Sequence, residues 1–119
     1  MPRDTITPAE VEARLIELTD ELDQAQDMLA EAEMEYAKAE YEQRQKLAEA
    51  RLRIGNEERR TTEQQRKDEA TVLCKSQDWN FVMADAKVRI ARSTVFAIRT
   101  KIEVARSLGT SVRSALEIV

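Results

Sequence analysis

Histidine is missing from all 119 residues of this chain, which also has only one cysteine, two glycines and two prolines. Without histidine, the chain lacks the commonest general base and metal ligand. The single cysteine, Cys74, excludes an intramolecular disulfide and the usual zinc sites, and it favours a reducing compartment. The two glycines are too far apart to form a phosphate-binding loop. We therefore expect no catalytic residue, no metal site and no cofactor, and a protein that is not an enzyme.

Aromatic residues are also scarce, at 4% of the chain, whereas charged residues make up 35%. This composition is typical of long helices and makes a β-sandwich or an α/β enzyme an unfavourable interpretation. No stretch reaches eighteen apolar residues, and the N-terminal segment has no apolar region of the kind found in signal peptides. We expect no membrane association and a cytoplasmic location.

Charge is distributed unevenly along the chain, although its net value is only −4. Residues 1–42 hold three basic and thirteen acidic residues, whereas residues 79–119 hold seven basic and three acidic ones. Two interpretations remain open. Either the two ends pair with each other, within or between subunits, or the basic end meets a polyanion.

Helix start and stop signals divide the chain into five parts within one domain, residues 1–119. Thr7 and Glu10 frame a capping box, with Pro8 at the first helical position. Gly55 ends the long pattern that follows. Either Thr61 or Thr62 can cap the next helix, because each has a glutamine three residues later. The predicted parts are a tail at 1–7, a long acidic helix at 8–54, a basic turn at 55–62, a short helix at 63–76 and a long basic helix at 79–119. Gly109 lies inside the last helix as a possible break, although the apolar pattern continues in phase across it.

The last helix carries apolar or small residues at alternating spacings of three and four, the pattern of a helix that packs along another helix. The residues of this seam that we expect to form the helix–helix or oligomer contact are Val88, Val95, Ile98, Ile102, Val112 and Leu116. The first helix has a similar seam, interrupted at Gln43. The predicted fold is all-α: a long antiparallel helical hairpin with a short middle helix. A second apolar row repeats every seven residues, at Met83, Ile90, Ala97 and Val104, and predicts assembly into a homo-oligomer.

Two groups of basic residues are candidates for binding. One is an arginine row beside the seam, with members one heptad apart: Arg92, Arg99, Arg106 and Arg113. Its members either pair with the acidic first helix or contact phosphates. The other group surrounds the predicted turn, where arginines reach nucleic-acid phosphates in many proteins or are simply solvated. Its members are Arg51, Arg53, Arg59, Arg60, Arg66 and Lys67.

Two stretches, residues 46–52 (KLAEARL) and 105–113 (ARSLGTSVR), resemble segments of the UvsY-type recombination mediators of tailed bacteriophages. The order of parts is also similar: a long helix, Ala-Arg-Leu, a glycine turn, a polar helix and a long basic helix. The resemblance covers roughly residues 35–116. It implies a ring-like homo-oligomer in the bacterial cytoplasm that binds single-stranded DNA. It further implies that the protein helps to load a RecA-like recombinase onto strands coated by a single-strand-binding protein.

The same resemblance implies that DNA contacts come from basic residues near Ala-Arg-Leu and the turn, here Arg51 and Arg53 together with Arg59 and Arg60. An alternative function follows from the acidic first helix. A structural or protein-binding coiled coil, such as a phage scaffold or an acidic inhibitor of a host protein, would use that helix to dock on a basic partner.

Overall fold

The computed structural model describes residues 5–56 and 62–118, and within these ranges the chain forms three helices and no strand. Helix α1 spans Pro8–Gly55, α2 spans Glu63–Leu73 and α3 spans Lys75–Ile118. The all-α prediction is therefore confirmed. None of the described helices combines the length and the apolarity needed to cross a membrane.

The starts of α1 and α2 are fixed by reciprocal side-chain caps. Thr7 accepts a hydrogen bond from the backbone N–H of Glu10 at 3.3 Å, and its own backbone N–H donates to the Glu10 carboxylate at 3.2 Å. Thr62 and Gln65 make the same pair of bonds at 3.1 and 2.9 Å. Each pair satisfies two N–H groups that a helix start otherwise leaves without a partner. The predicted start at Thr7 is confirmed. Of the two residues predicted to cap the second helix, Thr61 and Thr62, the structure shows Thr62 in that role.

The boundary between α2 and α3 differs from the prediction. The short helix ends at Leu73 rather than at residue 76, and α3 begins at Lys75 rather than at residue 79. Only Cys74 separates them, and its backbone N–H donates to the carbonyl of Ala70 at 3.0 Å. Residues 75–78 contain no glycine or proline, so nothing in them prevents helical geometry from resuming directly after Cys74.

The described helices pack into two compact units. In the first, the part of α1 up to Leu29 packs against the part of α3 from Ile90 onward. Its core is built from large and small apolar residues of both segments: Leu18, Ala25, Val95, Ile98, Ile102 and Ala105. Burying each valine or isoleucine contributes roughly 1.5–3 kcal/mol before the entropy of ordering is subtracted. The alanines allow the two helix axes to approach closely.

The seam of the first unit weakens toward the end of α3. Val95, Ile98 and Ile102 are buried, Val112 is half-buried, and Leu116 is 59% exposed. The exposure of Leu116 within one chain has a geometric reason, and its role in an oligomer contact stays a prediction. Gly109 lies beside Val11, close to the start of α1 at Pro8, so α1 has no helical residue left to cover a side chain seven positions further along. Helix α3 itself continues through Gly109 without a break.

The second unit contains residues 30–89: the rest of α1, all of α2 and the start of α3. Its core gathers apolar side chains from the three helices, namely Leu47, Ala50, Ile54, Ala70, Leu73 and Cys74. Val88, a predicted seam residue, is buried in this unit with 4% exposure. The rings of Tyr36 and Phe81 meet at 5.1 Å between centroids and 42° between planes, within the range of tilted aromatic pairs.

Candidate nucleic-acid interface

A groove of about 810 Å³ lies in the second unit, between the end of α1, helix α2 and the first turn of α3. Four of its lining residues are basic: Arg44, Arg51, Arg66 and Lys67. Two are acidic, Glu63 and Asp78. The groove therefore has a net charge of +2 in a chain whose overall charge is −4. A positively charged concave surface of this kind suits an anionic ligand.

Helical spacing explains how the sequence brings these residues together. On α1, Arg44, Leu47, Arg51 and Ile54 follow one another at spacings of three and four, which places them on one side of the helix. Lys67 and Ala70 on α2 and Cys74, the residue directly after α2, have the same spacing. Each helix thus contributes apolar residues to the floor of the groove and basic residues to its rim.

The basic residues of the groove differ in their partners. Arg44 is paired with Glu40, and Lys67 lies 3.6 Å from Glu63, one turn earlier on α2. Both pairs are on exposed helix surface, where an ion pair contributes about 0.3–0.5 kcal/mol and is easily exchanged for another partner. Arg51 makes no ion pair with any residue in the ranges 5–56 and 62–118. Arg51 is therefore the lining arginine best placed to neutralise a bound anion.

Three of the six predicted DNA-binding residues line this groove: Arg51, Arg66 and Lys67. Arg53 is exposed in the last turn of α1 and does not line it. The position of Arg53 suits the helix dipole, which favours a positive charge at the C-terminal end. Arg59 and Arg60 lie outside the described residues.

Arg44 is a groove residue that sequence reasoning missed as a binding candidate. Its spacing of i, i+4 from Glu40 marks it as a member of a solvated ion pair, and that pair is present. The signal that identifies its second role is its interval of seven residues to Arg51, two turns along the same side of α1.

Cys74 lies in the floor of the groove and is 2% exposed. Burial raises the pKa of the Cys74 thiol, and the nearby carboxylate of Asp78 raises that pKa further. Lys46 and Arg51 act in the opposite direction but do not outweigh these effects. The thiol is therefore protonated at neutral pH, which suits a structural cysteine rather than a nucleophile.

The aromatic residues of the second unit fall into two groups. Tyr36 packs on Phe81, whereas Tyr41 and Trp79 are 64% and 63% exposed. Trp79 directly follows Asp78, a lining residue of the groove, so it lies close to the groove along α3. Exposed aromatic rings near basic residues are the usual platforms for stacking unpaired bases.

Three members of the arginine row in the first unit are not paired with α1, although their position beside the seam predicts such pairing. Arg99, Arg106 and Arg113 are exposed and form no ion pair with the residues that the structure describes. The positions of four acidic residues of α1 in this unit account for this result. Glu17 and Glu21, next to the seam, pair with Arg14 of the same helix. Asp20 and Asp27 follow the buried Leu18 and Ala25 by two positions, or about 200° around the helix, so they face away from the seam.

In the second unit, by contrast, an ion pair joins α1 to α3: Lys87 lies 3.3 Å from Glu35, with both side chains more than half exposed. Within the described ranges, no group of three or more cysteine, aspartate or glutamate residues is arranged to hold a metal ion. The groove combines a positive charge, an apolar floor and a nearby exposed aromatic ring. These are the components of a non-covalent binding site.

Comparisons with models of protein families, with curated proteins and with solved structures found no match for this chain.

Proposed function

We propose that this protein binds single-stranded DNA through the basic groove of its second unit and acts as a recombination mediator. In this role it helps a RecA-like recombinase to displace a single-strand-binding protein. The observation that carries the proposal is the convergence of Arg44, Arg51, Arg66 and Lys67 on one groove. The mechanism is non-covalent, because arginine and lysine side chains neutralise phosphates and release the counterions that surround them.

Single-stranded rather than double-stranded DNA is favoured by the shape of the site and by its aromatic residues. A groove formed by three helices suits a flexible strand, and Trp79 and Tyr41 offer exposed rings on which bases can stack. Neither feature depends on base sequence, so binding without sequence preference is expected.

The architecture that we propose is an antiparallel pairing of α1 and α3 segments, assembled into a homo-oligomer. Contacts within the second unit support the antiparallel direction: Glu35 pairs with Lys87, whereas Gln43, further along α1, contacts Asp78, earlier on α3. In the first unit Gly109 lies beside Val11, which agrees with the same direction. Exposed large apolar residues on α3, including Ile90 and Val104, support assembly with further helices.

The test is the fluorescence anisotropy of a labelled oligonucleotide of about 30 nucleotides, titrated with protein at 50 and at 200 mM salt. We expect binding that weakens steeply with salt. The variant Arg51→Glu/Arg66→Glu should bind at least tenfold more weakly at 50 mM salt. Its salt dependence should also be shallower, by about 0.7 in the log–log slope for each phosphate that the variant no longer neutralises.

A matched control reverses two basic residues of the same unit that do not line the groove. Lys38→Glu/Arg89→Glu changes the net charge by the same amount and removes two exposed ion pairs, with Glu42 and Asp85. This control should retain most of the DNA affinity. If both double variants lose affinity equally, binding reflects net charge alone and the groove is not the site. If the wild-type protein does not bind at 50 mM salt, the proposed function is wrong.

A second candidate function is supported by one observation. Glu12, Asp20, Asp23 and Asp27 are exposed on α1 and form no ion pair with the described part of the chain. An unneutralised acidic surface suits docking on a basic protein, as expected of a scaffold or an inhibitor. Such a protein would ignore DNA in the anisotropy titration and would bind a basic partner with an affinity that falls as salt rises.

A further inference from the structure

Two oppositely charged surfaces remain without partners within the first unit. The acidic surface is the outer side of α1, formed by Ile16, Asp20, Asp23 and Asp27. The basic surface is the flank of α3, formed by Phe96, Arg99, Arg106 and Arg113. None of these six charged residues forms an ion pair with the described part of the chain.

The two surfaces cannot meet within one copy of the helix pair. Asp20 and Asp27 lie about 200° around α1 from the buried Leu18 and Ala25, and those two residues face α3. The arginines of the basic surface each follow a seam residue of α3 by one position, as Arg99 follows Ile98 and Arg106 follows Ala105. The basic surface therefore borders the seam, and the acidic surface lies on the far side of α1.

The spacing of the charges on the two surfaces matches. Asp20 and Asp27 are seven residues apart, as are Arg99 and Arg106. At 1.5 Å per residue, both intervals are about 10.5 Å along a helix. Two helices that lie side by side can therefore align both pairs at once. The acidic surface of α1 needs a partner surface whose basic residues have this same spacing. The basic surface of α3 in the same chain has it.

Each surface also presents one large apolar side chain beside its charges. Ile16, four residues before Asp20, is 65% exposed, and Phe96, three residues before Arg99, is 73% exposed. Exposed ion pairs alone contribute little, because water and salt screen them. Burial of an isoleucine against a phenylalanine stabilises the contact. The charge pairs then fix the register of the two helices.

From this complementarity we infer that the acidic surface of α1 in one copy docks on the basic surface of α3 in a second copy of the same chain. The inference rests on the homo-oligomer of the proposed function, but not on its DNA groove, which belongs to the other unit. Because the two surfaces differ, the contact is heterologous. It can pass from copy to copy, and it closes into a ring where the rotation between copies permits and forms an open filament where it does not.

The experiment uses two charge-reversed variants of the full chain. The first, Asp20→Lys/Asp23→Lys/Asp27→Lys, is basic on both surfaces. The second, Arg99→Glu/Arg106→Glu/Arg113→Glu, is acidic on both. The mass of each is measured by light scattering after size exclusion, without DNA, at 50 mM salt, and helix content is checked by circular dichroism. All six positions are exposed, so helix content should not change.

We expect the wild-type protein to be an oligomer. Each variant alone should associate roughly tenfold to a hundredfold more weakly, because three attractions become repulsions. An equimolar mixture of the two should regain assembly, because basic surfaces then meet acidic ones in every contact. A six-fold variant carrying both sets of reversals should also assemble. A control with the same charge change elsewhere on α1, Glu31→Lys/Glu42→Lys/Glu49→Lys, should keep the wild-type mass.

Variants that assemble as well as the wild type, or a mixture that does not regain assembly, would overturn this inference while leaving the oligomer itself in place. A monomeric wild type would overturn the inference together with the oligomer of the proposed function. Neither outcome bears on DNA binding through the groove. That binding is measured in a separate experiment, the anisotropy titration of the Arg51→Glu/Arg66→Glu variant.

Discussion

The side-chain amide of Gln43 donates a hydrogen bond of 2.8 Å to the carboxylate of Asp78, and this bond joins α1 to the first turn of α3. Gln43 occupies a seam position of α1, where the neighbouring positions Ala39 and Leu47 are apolar. The bond is half-buried. A polar pair at such a position fixes the register of two helices, because sliding one of them leaves both groups without a partner.

Removal of either side chain should therefore destabilise the fold. Removal of both should lower the free energy of unfolding by less than the sum of the two single effects. We expect Gln43→Ala and Asp78→Ala to lower the free energy of unfolding by about 1–2 kcal/mol each, with a coupling energy of about 1 kcal/mol. Urea unfolding at one fixed protein concentration provides the measurement, because association adds to apparent stability. Strictly additive effects would show that the hydrogen bond contributes nothing to the fold.

Gly109 lies under the side chain of Val11, since a Cβ atom built on Gly109 would be 3.0 Å from Cγ1 of that valine. Alanine in place of glycine favours a helix by about 1 kcal/mol, but here the valine must move to admit it. We expect Gly109→Ala to change stability little in the wild-type chain and to stabilise it by about 1 kcal/mol in a Val11→Ala background. Thermal or urea unfolding of the four variants gives the coupling directly.

Gly55 provides the matched control for this experiment. A Cβ atom there meets nothing within 4 Å, and its φ is not positive. Gly55→Ala should therefore stabilise the protein by a few tenths of a kcal/mol to about 1 kcal/mol, whether or not Val11 is present. A dependence of this control on Val11 would mean that the coupling at Gly109 is not a local contact.

The buried thiol of Cys74 should react slowly in the folded protein. Burial, reinforced by the carboxylate of Asp78, raises the pKa of this thiol above its ordinary value of 9.0, so the reactive thiolate is scarce at pH 8. We expect alkylation by iodoacetamide to be at least tenfold slower in buffer than in urea. Equal rates in both would show that the groove floor opens freely to solvent.

The same raised pKa gives stability a definite pH dependence. The folded state holds the thiol proton more tightly than the unfolded state, so the contribution of Cys74 is complete below pH 9.0. It is lost as the pH rises from 9.0 through the higher pKa of the folded protein. Above pH 9.0, unfolding free energies should fall more steeply with rising pH for the wild type than for Cys74→Ala, which has no thiol to titrate.

Local features of this fold were readable from the sequence because they depend on neighbouring residues. The caps at Thr7 and Thr62 each need one partner three positions away, and both are present. The boundary at Cys74 was not readable, because no glycine or proline marks it. Its position follows from packing, since Cys74 is buried with Ala50 and Ala70.

The groove was only partly predictable for a similar reason. A cluster of basic residues around the turn can be read from the sequence, and Arg51, Arg66 and Lys67 do line one groove. That Arg53 points elsewhere, and that Arg44 belongs to the site, depends on which side of α1 faces α2. The position of each residue around α1 decides which side chains face α2. The same property places Asp20 and Asp27 away from the arginines of α3.

Trp79 provides an intrinsic probe of the proposed DNA site, because it is the only tryptophan of the chain and is 63% exposed. If a bound strand continues from the groove past Asp78, a base stacks on the indole and quenches its fluorescence. We expect saturable quenching by single-stranded DNA. Trp79→Ala should weaken binding by about 1–3 kcal/mol, whereas Trp79→Phe, which keeps an aromatic face, should weaken it less.

The tryptophan signal also separates stacking from simple charge attraction. In Arg51→Glu/Arg66→Glu the quenching should require at least tenfold more DNA, because phosphate contacts hold the strand near the ring. In Lys38→Glu/Arg89→Glu the quenching curve should stay close to that of the wild type. Binding seen by anisotropy without any quenching would place the strand away from Trp79, and the site would then extend along α1 and α2 instead.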